Sequence, residues 1–449
     1  PTEDEIMQIK KLTALIALAT VAGAAQATDG YFSHGYGMKA IGMGGAATAM
    51  ADDAFGGANN PASMAFVGDR IDFGVNLFSP RRESERTGSG GVAGTTTPPF
   101  DFSVKSGSNY FGIPEFGYNK MVNPDLALGV SVYGNGGMNT DYPGDQIPAG
   151  ACASFGNPGT GNMLCGSGKL GVDLMQLIVA PTVAYKIAPN HSIGISPLLG
   201  YQRFKLEGVQ PFAGFSNSPA NVSNNGYDDS FGYGVRIGYM GRLAPTVTIG
   251  AAYASKVNFK KLGKYQGLFA EQGDFDIPEN YNVGVAWQAS PAVTLALDYQ
   301  RINYGKVKSI ADPLGNLLAC MGGDTTACLG GSNGAGFGWS NIDVWKLGAE
   351  YKLDKQWTFR AGYNHTDNPI SGKDVTFNIL APATVQDHAT LGMTYTTASG
   401  GELTVSYMHA FKNDITGNSF LQAFGFPPST QERIQMYQDS LGIAYGWKM

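Results

Sequence analysis

The sequence predicts an all-β fold: a 14-stranded antiparallel transmembrane β-barrel with an N-terminal plug, or hatch, inside the lumen. Three observations predict it. From Arg70 onward, apolar and polar residues alternate with a period of two in fourteen separate segments. Short turns rich in Pro, Asn, Asp and Gly alternate with long polar loops between those segments. No run of about 18 apolar residues follows the N-terminal region, and the mean hydropathy of −0.11 is too polar for a bundle of membrane helices. Composition agrees. Glycine supplies 63 of 449 residues, roughly twice the usual share, while only 15% of residues are charged and 11% are aromatic.

Taken in chain order, the first element is a secretory signal peptide, expected over residues 1–27. Two lysines (Lys10, Lys11), an apolar stretch Leu12–Ala22 and the triplet Ala25-Gln26-Ala27 place cleavage before Thr28, with Met7 as the expected start. Residues 28–69 follow, too few to build a good core of their own. They carry small residues every few positions, with Met38, Ile41, Met50 and Phe55 at helical spacing. Their simplest home is the bore of the barrel, which at this strand number leaks unless something fills it. The Asn59-Asn60-Pro61 kernel of GGANNPASMAF (56–66) is expected to stop both helix and sheet and to turn the chain into the first strand.

The barrel is expected over residues 70–449. In RIDFGVNLF, Ile71, Phe73, Val75 and Leu77 share one face, and Asp72, Gly74 and Asn76 the other. The fourteen segments lie near 70–79, 110–122, 126–137, 174–187, 191–206, 229–243, 246–258, 279–289, 292–305, 341–353, 356–367, 387–397, 401–412 and 435–447. Tight turns at 122–125, 187–190, 243–246, 289–292, 353–356 and 397–401 alternate with long loops at 80–109, 138–173, 207–228, 259–278, 306–340, 368–386 and 413–434. Short turns at one end and long loops at the other mark a spanning barrel. A soluble β-sandwich also alternates. Long strands with Tyr and Trp near their ends, such as Tyr185, Tyr253, Trp287, Tyr351, Trp357 and Trp447, instead fit a tilted span with aromatic girdles.

The chemistry-bearing residues are sparse. A formal net charge of −6 with no basic stripe excludes a nucleic-acid footprint. Cys152 with Cys165 and Cys320 with Cys328 each close a short Gly-rich segment, so local disulfides are expected in an exported chain. No CxxC or nearby His accompanies them, so no metal site and no cofactor is expected. His34, His191, His365, His388 and His409 are scattered and no GxSxG elbow occurs, so the chain does not read as an enzyme.

Two runs, GMGGAATAMADDAFGGANNPASM (42–64) and GNGGMNTDYPG (134–144), together with the signal and the fourteen strands, are similar to the outer-membrane long-chain fatty acid and aromatic hydrocarbon transporter family (FadL/TodX type). The resemblance implies a bacterial outer-membrane protein that passively transports hydrophobic compounds, with residues 28–69 as the hatch and Asn60, Pro61 and Ala62 as its motif. It also implies an inward kink in the third strand that opens the wall to the bilayer, here at Gly134, Asn135, Gly136 and Gly137. Glycine there weakens the strand and permits a bulge. Fatty acid members hold the carboxylate with basic side chains, and parity turns Arg236, Lys346 and Arg360 inward, where Asp298 or Glu350 could instead pair with them. A groove between outer loops would make the first capture, with Phe212, Phe215, Phe259, Leu262, Leu268 and Phe269 as its exposed apolar side chains. The expected partners are a hydrophobic small-molecule ligand and the lipid and lipopolysaccharide of the outer membrane, the protein acting as a monomer. The competing expectation is a general diffusion porin or a surface adhesion barrel, and residues 28–69 discriminate, because an open porin has no use for them.

Overall fold

The computed structural model describes residues 28–90 and 100–449. The expected signal peptide and part of the loop expected at 80–109 lie outside the described residues. The strands are β1 (Arg70–Thr87), β2 (Phe102–Lys105), β3 (Phe111–Met121), β4 (Leu126–Tyr142), β5 (Leu170–Ala188) and β6 (His191–Glu207). Then come β7 (Asp228–Ala244), β8 (Val247–Ala254), β9 (Asn258–Phe259), β10 (Asn280–Gln288) and β11 (Val293–Ile302). The last five are β12 (Ile342–Lys352), β13 (Trp357–Thr366), β14 (Asp387–Thr396), β15 (Glu402–Asn418) and β16 (Gln431–Lys448). Every pairing is antiparallel between neighbours in the chain, and β16 returns to pair with β1. The short β2 and β9 only extend β1 and β7, so the other fourteen strands form one closed barrel.

Several strands are longer than the alternation of apolar residues marks. β1 continues to Thr87, β4 to Tyr142 and β15 to Asn418, and β16 begins at Gln431, so the loops between them are shorter than expected. Beyond the apolar band both faces of a strand are polar, and the period-two signal fades although the ladder does not. Cross-strand polar pairs hold these extensions instead: Arg433 on Glu85 at 2.6 Å, Gln435 on Glu83 at 2.6 Å and Arg86 on Glu432 at 2.5 Å. In the other direction, β8 stops at Ala254 rather than near 258.

The outer face carries the apolar residues. Leu77 and Leu441 are register partners across the β1–β16 seam, 49% and 54% exposed. Leu128, Val183, Ile195, Leu199, Leu347 and Leu391 are likewise exposed on other strands. A soluble sandwich would bury them; a barrel in lipid has no reason to. One seam is weak: the β5–β6 ladder lapses between Val179↔Leu199 and Val183↔Ile195, where Pro181 and Pro197 face each other without an amide hydrogen between them. Inside, the hydroxyls of Thr182 and Ser196 bridge the lapse at 2.7 Å.

Candidate functional site

Residues 28–69 lie within the ring of strands and are bonded to it on all sides. Glu115 of β3 accepts from the Gly37 amide at 3.0 Å, Thr390 of β14 from Gly44 at 2.9 Å, and Asp72 of β1 from Ala54 at 3.0 Å. Asp298 of β11 takes both the Ala47 and Thr48 amides, at 2.9 and 2.8 Å. Lys39 reaches Glu402 of β15 at 2.6 Å, and Arg70 joins the same carboxylate at 2.6 Å. The glycine-rich composition has its explanation here. Gly238, Gly250, Gly362 and Gly442 face inward, and a methyl group on any of them would overlap Asn60, Thr48, Gly44 or Met38. Small residues on both surfaces let two backbones lie in contact.

The Asn60-Pro61-Ala62 unit is docked on β6 and β7. Asn60 is fully buried and its amide donates to the carbonyls of Thr48 and Tyr239, while Ser192 donates to the Ala62 carbonyl. The expectation that Asn-Asn-Pro stops a helix is corrected. Asn60 accepts from the Ala62 amide, Pro61 opens the 3₁₀ turn Pro61–Ser63, and the helix Met64–Val67 follows. Proline at a first helical position loses no bond, so here it starts the turn. Of the four residues placed at helical spacing, the helix Met38–Gly42 holds only Met38 and Ile41.

At Gly134–Gly137 the strand does not end. β4 runs through with a bulge at Asn135, between Gly134↔Leu177 and Gly136↔Gln176. The extra residue reverses parity: Ala127, Ser131 and Tyr133 point inward below it, and Met138, Thr140 and Tyr142 above it. On the other edge, β3 pairs with β4 only from Phe116↔Val132 to Met121↔Ala127, while Phe111–Glu115 pair with β1 alone. The ladder is therefore interrupted above Val132 until the Gly107 amide meets the Asp141 carbonyl at 2.7 Å. Within that interval β4 bonds to the N-terminal segment. The Ser33 amide donates to Asn135, the Gly137 amide donates to Tyr31, and the Tyr36 and Tyr133 rings lie 4.5 Å apart.

Arg236, Lys346 and Arg360 are all buried and inward, but the structure brings only two of them together. Arg236 and Lys346 line one polar cavity with Asp298, Asn282 and Gln300. Lys346 donates to the His34 carbonyl at 2.8 Å and lies 3.8 Å from Asp29. Arg360 is apart, held by Glu350 at 2.7 Å and Thr394 at 2.7 Å. Burial raises the Asp29 carboxyl to about 6 against the pull of Lys346. Burial, with His388 and Lys346 beside it, lowers His34 to about 3 and keeps it neutral.

The loop residues expected to be exposed are not. Phe212, Phe259, Leu262 and Phe269 are buried, and Phe215 and Leu268 pack against the same core. Loops 207–228, 259–278, 306–340 and 368–386 fold over one another above the strands, and apolar side chains in such a cap leave water. Phe212, Leu268 and Phe269 line a narrow apolar cavity with Phe204, Phe337 and Leu380; Phe215, Phe259 and Leu262 stand outside it. Sequence reasoning missed Tyr31, Tyr304 and Trp339, whose rings cluster within 5.1–6.0 Å beneath this cap. Their aromatic character was the available signal, but nothing local to them showed that they meet. Disulfides join Cys152 to Cys165 and Cys320 to Cys328 in the loops.

A closed fourteen-stranded barrel, apolar outside and filled from within by its own N-terminal segment, defines an outer-membrane transport channel. The chain belongs to the outer membrane protein transport protein family (OMPP1/FadL/TodX), whose model matches residues 13–446. This is a family of passive outer-membrane transporters of hydrophobic compounds, not of enzymes. The fold is similar to the toluene transporter TodX of P. putida, with a TM-score of 0.64 and 17% identity over 93% of this chain and 99% of that one. It is similar to a FadL homologue of Pseudomonas aeruginosa, with a TM-score of 0.66 and 14% identity over 93% and 99%. The toluene transporter TbuX of Ralstonia pickettii gives 0.59 and 17% over 93% and 99%. No curated protein matches the chain.

Proposed function

We propose that this protein passes long-chain fatty acids or hydrocarbons from the apolar cavity between its outer loops to the interrupted wall beside β4, and releases them sideways into the membrane. Residues 28–69 act as the hatch that closes the axial route. The observation that carries this reading is the missing β3–β4 ladder above Val132, at the point where the Asn135 bulge ties β4 to Tyr31 and Ser33. Two similar solved structures are toluene transporters, and a third is a FadL homologue. Leu380 lines both the loop cavity and a second one beside the interruption, so the two are adjacent. Sideways release suits apolar cargo, because exposing it to water costs about 25 cal/mol per Å² of apolar surface.

The test is deletion of Asn135. Removing the bulged residue restores a single parity along β4 and lets its upper half pair with β3. Uptake of labelled oleate and labelled toluene should fall at least about tenfold in cells carrying the deletion, a loss on the scale of a blocked step, while heat-modifiable gel migration reports an assembled barrel. Wild-type uptake by an assembled deletion variant would refute lateral release.

A further inference from the structure

Among the described residues, five arginines are buried in the barrel wall: Arg70, Arg82, Arg86, Arg236 and Arg360. Arg70, Arg86 and Arg360 are each bonded to a carboxylate. Arg82 is not. It lies on the inner face of β1, 5% exposed, just above the point where β3 stops covering β1. Its Nη1 donates across the wall interruption to the carbonyl of Asn139 on β4. Its Nε and Nη2 are buried without a hydrogen-bond partner. Those two nitrogens form one edge of the guanidinium, the edge that donates in parallel to both oxygens of a carboxylate. The same side chain lines the cavity that holds Tyr31, Phe78, Met138, Trp339 and Leu380.

We propose that Arg82 is a head-group station for a monoanionic amphiphile at the wall opening: its Nε–Nη2 edge holds the carboxylate of a long-chain acid whose tail lies in the apolar cavity beside it. An unpaired buried guanidinium is strongly unfavourable, whereas an arriving carboxylate satisfies both charge and hydrogen bonds. Arg82 is the one cation in the lining of this apolar cavity, which suits the single negative charge of a carboxylate; Arg81, Lys105 and Lys412 line the separate polar cavity on its other side. The bond from Nη1 to Asn139 gives the station a second consequence. It spans β1 and β4, so a carboxylate that draws the guanidinium away loosens one of the side-chain ties across the gap, beside the Ser84–Tyr142 hydroxyl pair at 3.1 Å. The cargo thus contributes to its own release.

This inference rests on reading the interruption as the exit, and its test is made without a bilayer so that the two can fail separately. Purified full-length protein in non-ionic detergent is titrated with carboxyl-labelled oleate and, separately, with oleyl alcohol, which has the same chain and no charge. Arg82→Gln should weaken oleate binding at least about tenfold, the range of a charge-assisted hydrogen-bond pair, and leave oleyl alcohol unchanged. Arg82→Lys should restore part of the oleate affinity, because a lysine keeps the charge and loses the fork. The carboxyl carbon resonance of bound oleate should shift between wild type and Arg82→Gln. Equal losses for acid and alcohol would make Arg82 only a strut, and unchanged oleate binding would remove it from the route; either overturns the proposal. Stronger competition by a long-chain phosphate monoester than by oleate would overturn the monoanion assignment. If selectivity depends on Arg82 while the Asn135 deletion still transports, the station stands and the lateral exit falls.

Discussion

Asp298 shows how one side chain positions the N-terminal segment. It projects from β11 into the bore, opposite Lys346 on β12 in the ladder, yet the two do not pair. The carboxylate takes the amides of Ala47 and Thr48, while Lys346 turns to His34 and Asp29. Parity in the sequence shows that both point inward; it does not show which of several inward partners each finds, because those partners arrive from residues far away in the chain. Asp298→Ala leaves two buried amides unpartnered, at a cost of about 1–3 kcal/mol each. Hydrogen exchange of residues 44–50 should accelerate in this variant while the barrel strands keep wild-type protection. Unchanged exchange in that segment would mean that Asp298 is not what holds it.

Among the elements, β5 and β6 form the seam that the sequence marks most plainly and that is hardest to interpret from it. Pro181 and Pro197 are visible in otherwise strand-like runs, and a proline there argues against a central strand. Only the register shows that they stand opposite each other, so that two faults coincide at one place and the ladder lapses once. The Thr182–Ser196 bridge covers the lapse on the inner side. Replacing both prolines, Pro181→Val with Pro197→Thr, supplies two amide donors to the seam. A net gain of about 0.5–1.5 kcal/mol per bond formed should raise the temperature at which the barrel loses its heat-modifiable form; a lower temperature would mean that the backbone needs proline angles there. Elsewhere, the strand centres are legible because an apolar outer face and a packed polar inner face impose strict alternation. Their outer ends are not, since Arg86, Glu432 and their neighbours hold the ladder by polar pairs that look like loop. The six loop residues were misjudged for a related reason: composition shows that Phe212 and Phe269 are apolar, but not that four loops meet above them.

For the whole molecule, closure and filling answer different problems. Closing fourteen strands leaves no free sheet edge in lipid except where β3 and β4 part above Val132, but it encloses a bore that would conduct ions. The N-terminal segment is too short to fold alone, and the wall glycines have no side chain of their own with which to fill the bore. Each solves the other's deficiency, which is why small residues recur in both. The strand count can be reasoned from sequence because it follows from length and periodicity. The interruption beside β4 cannot, because three glycines and an asparagine fit an ending strand as well as a bulged one. In planar bilayers the full-length protein should give no large, steady conductance. Deleting residues 38–55, which removes the short helix and the segment bonded to Thr390, Asp298 and Asp72, should open a stable channel in a barrel that still migrates as folded. A large open channel in the intact protein would instead make it a general porin, and equal, negligible conductance in both forms would place the seal in the outer loops rather than in the segment within the bore.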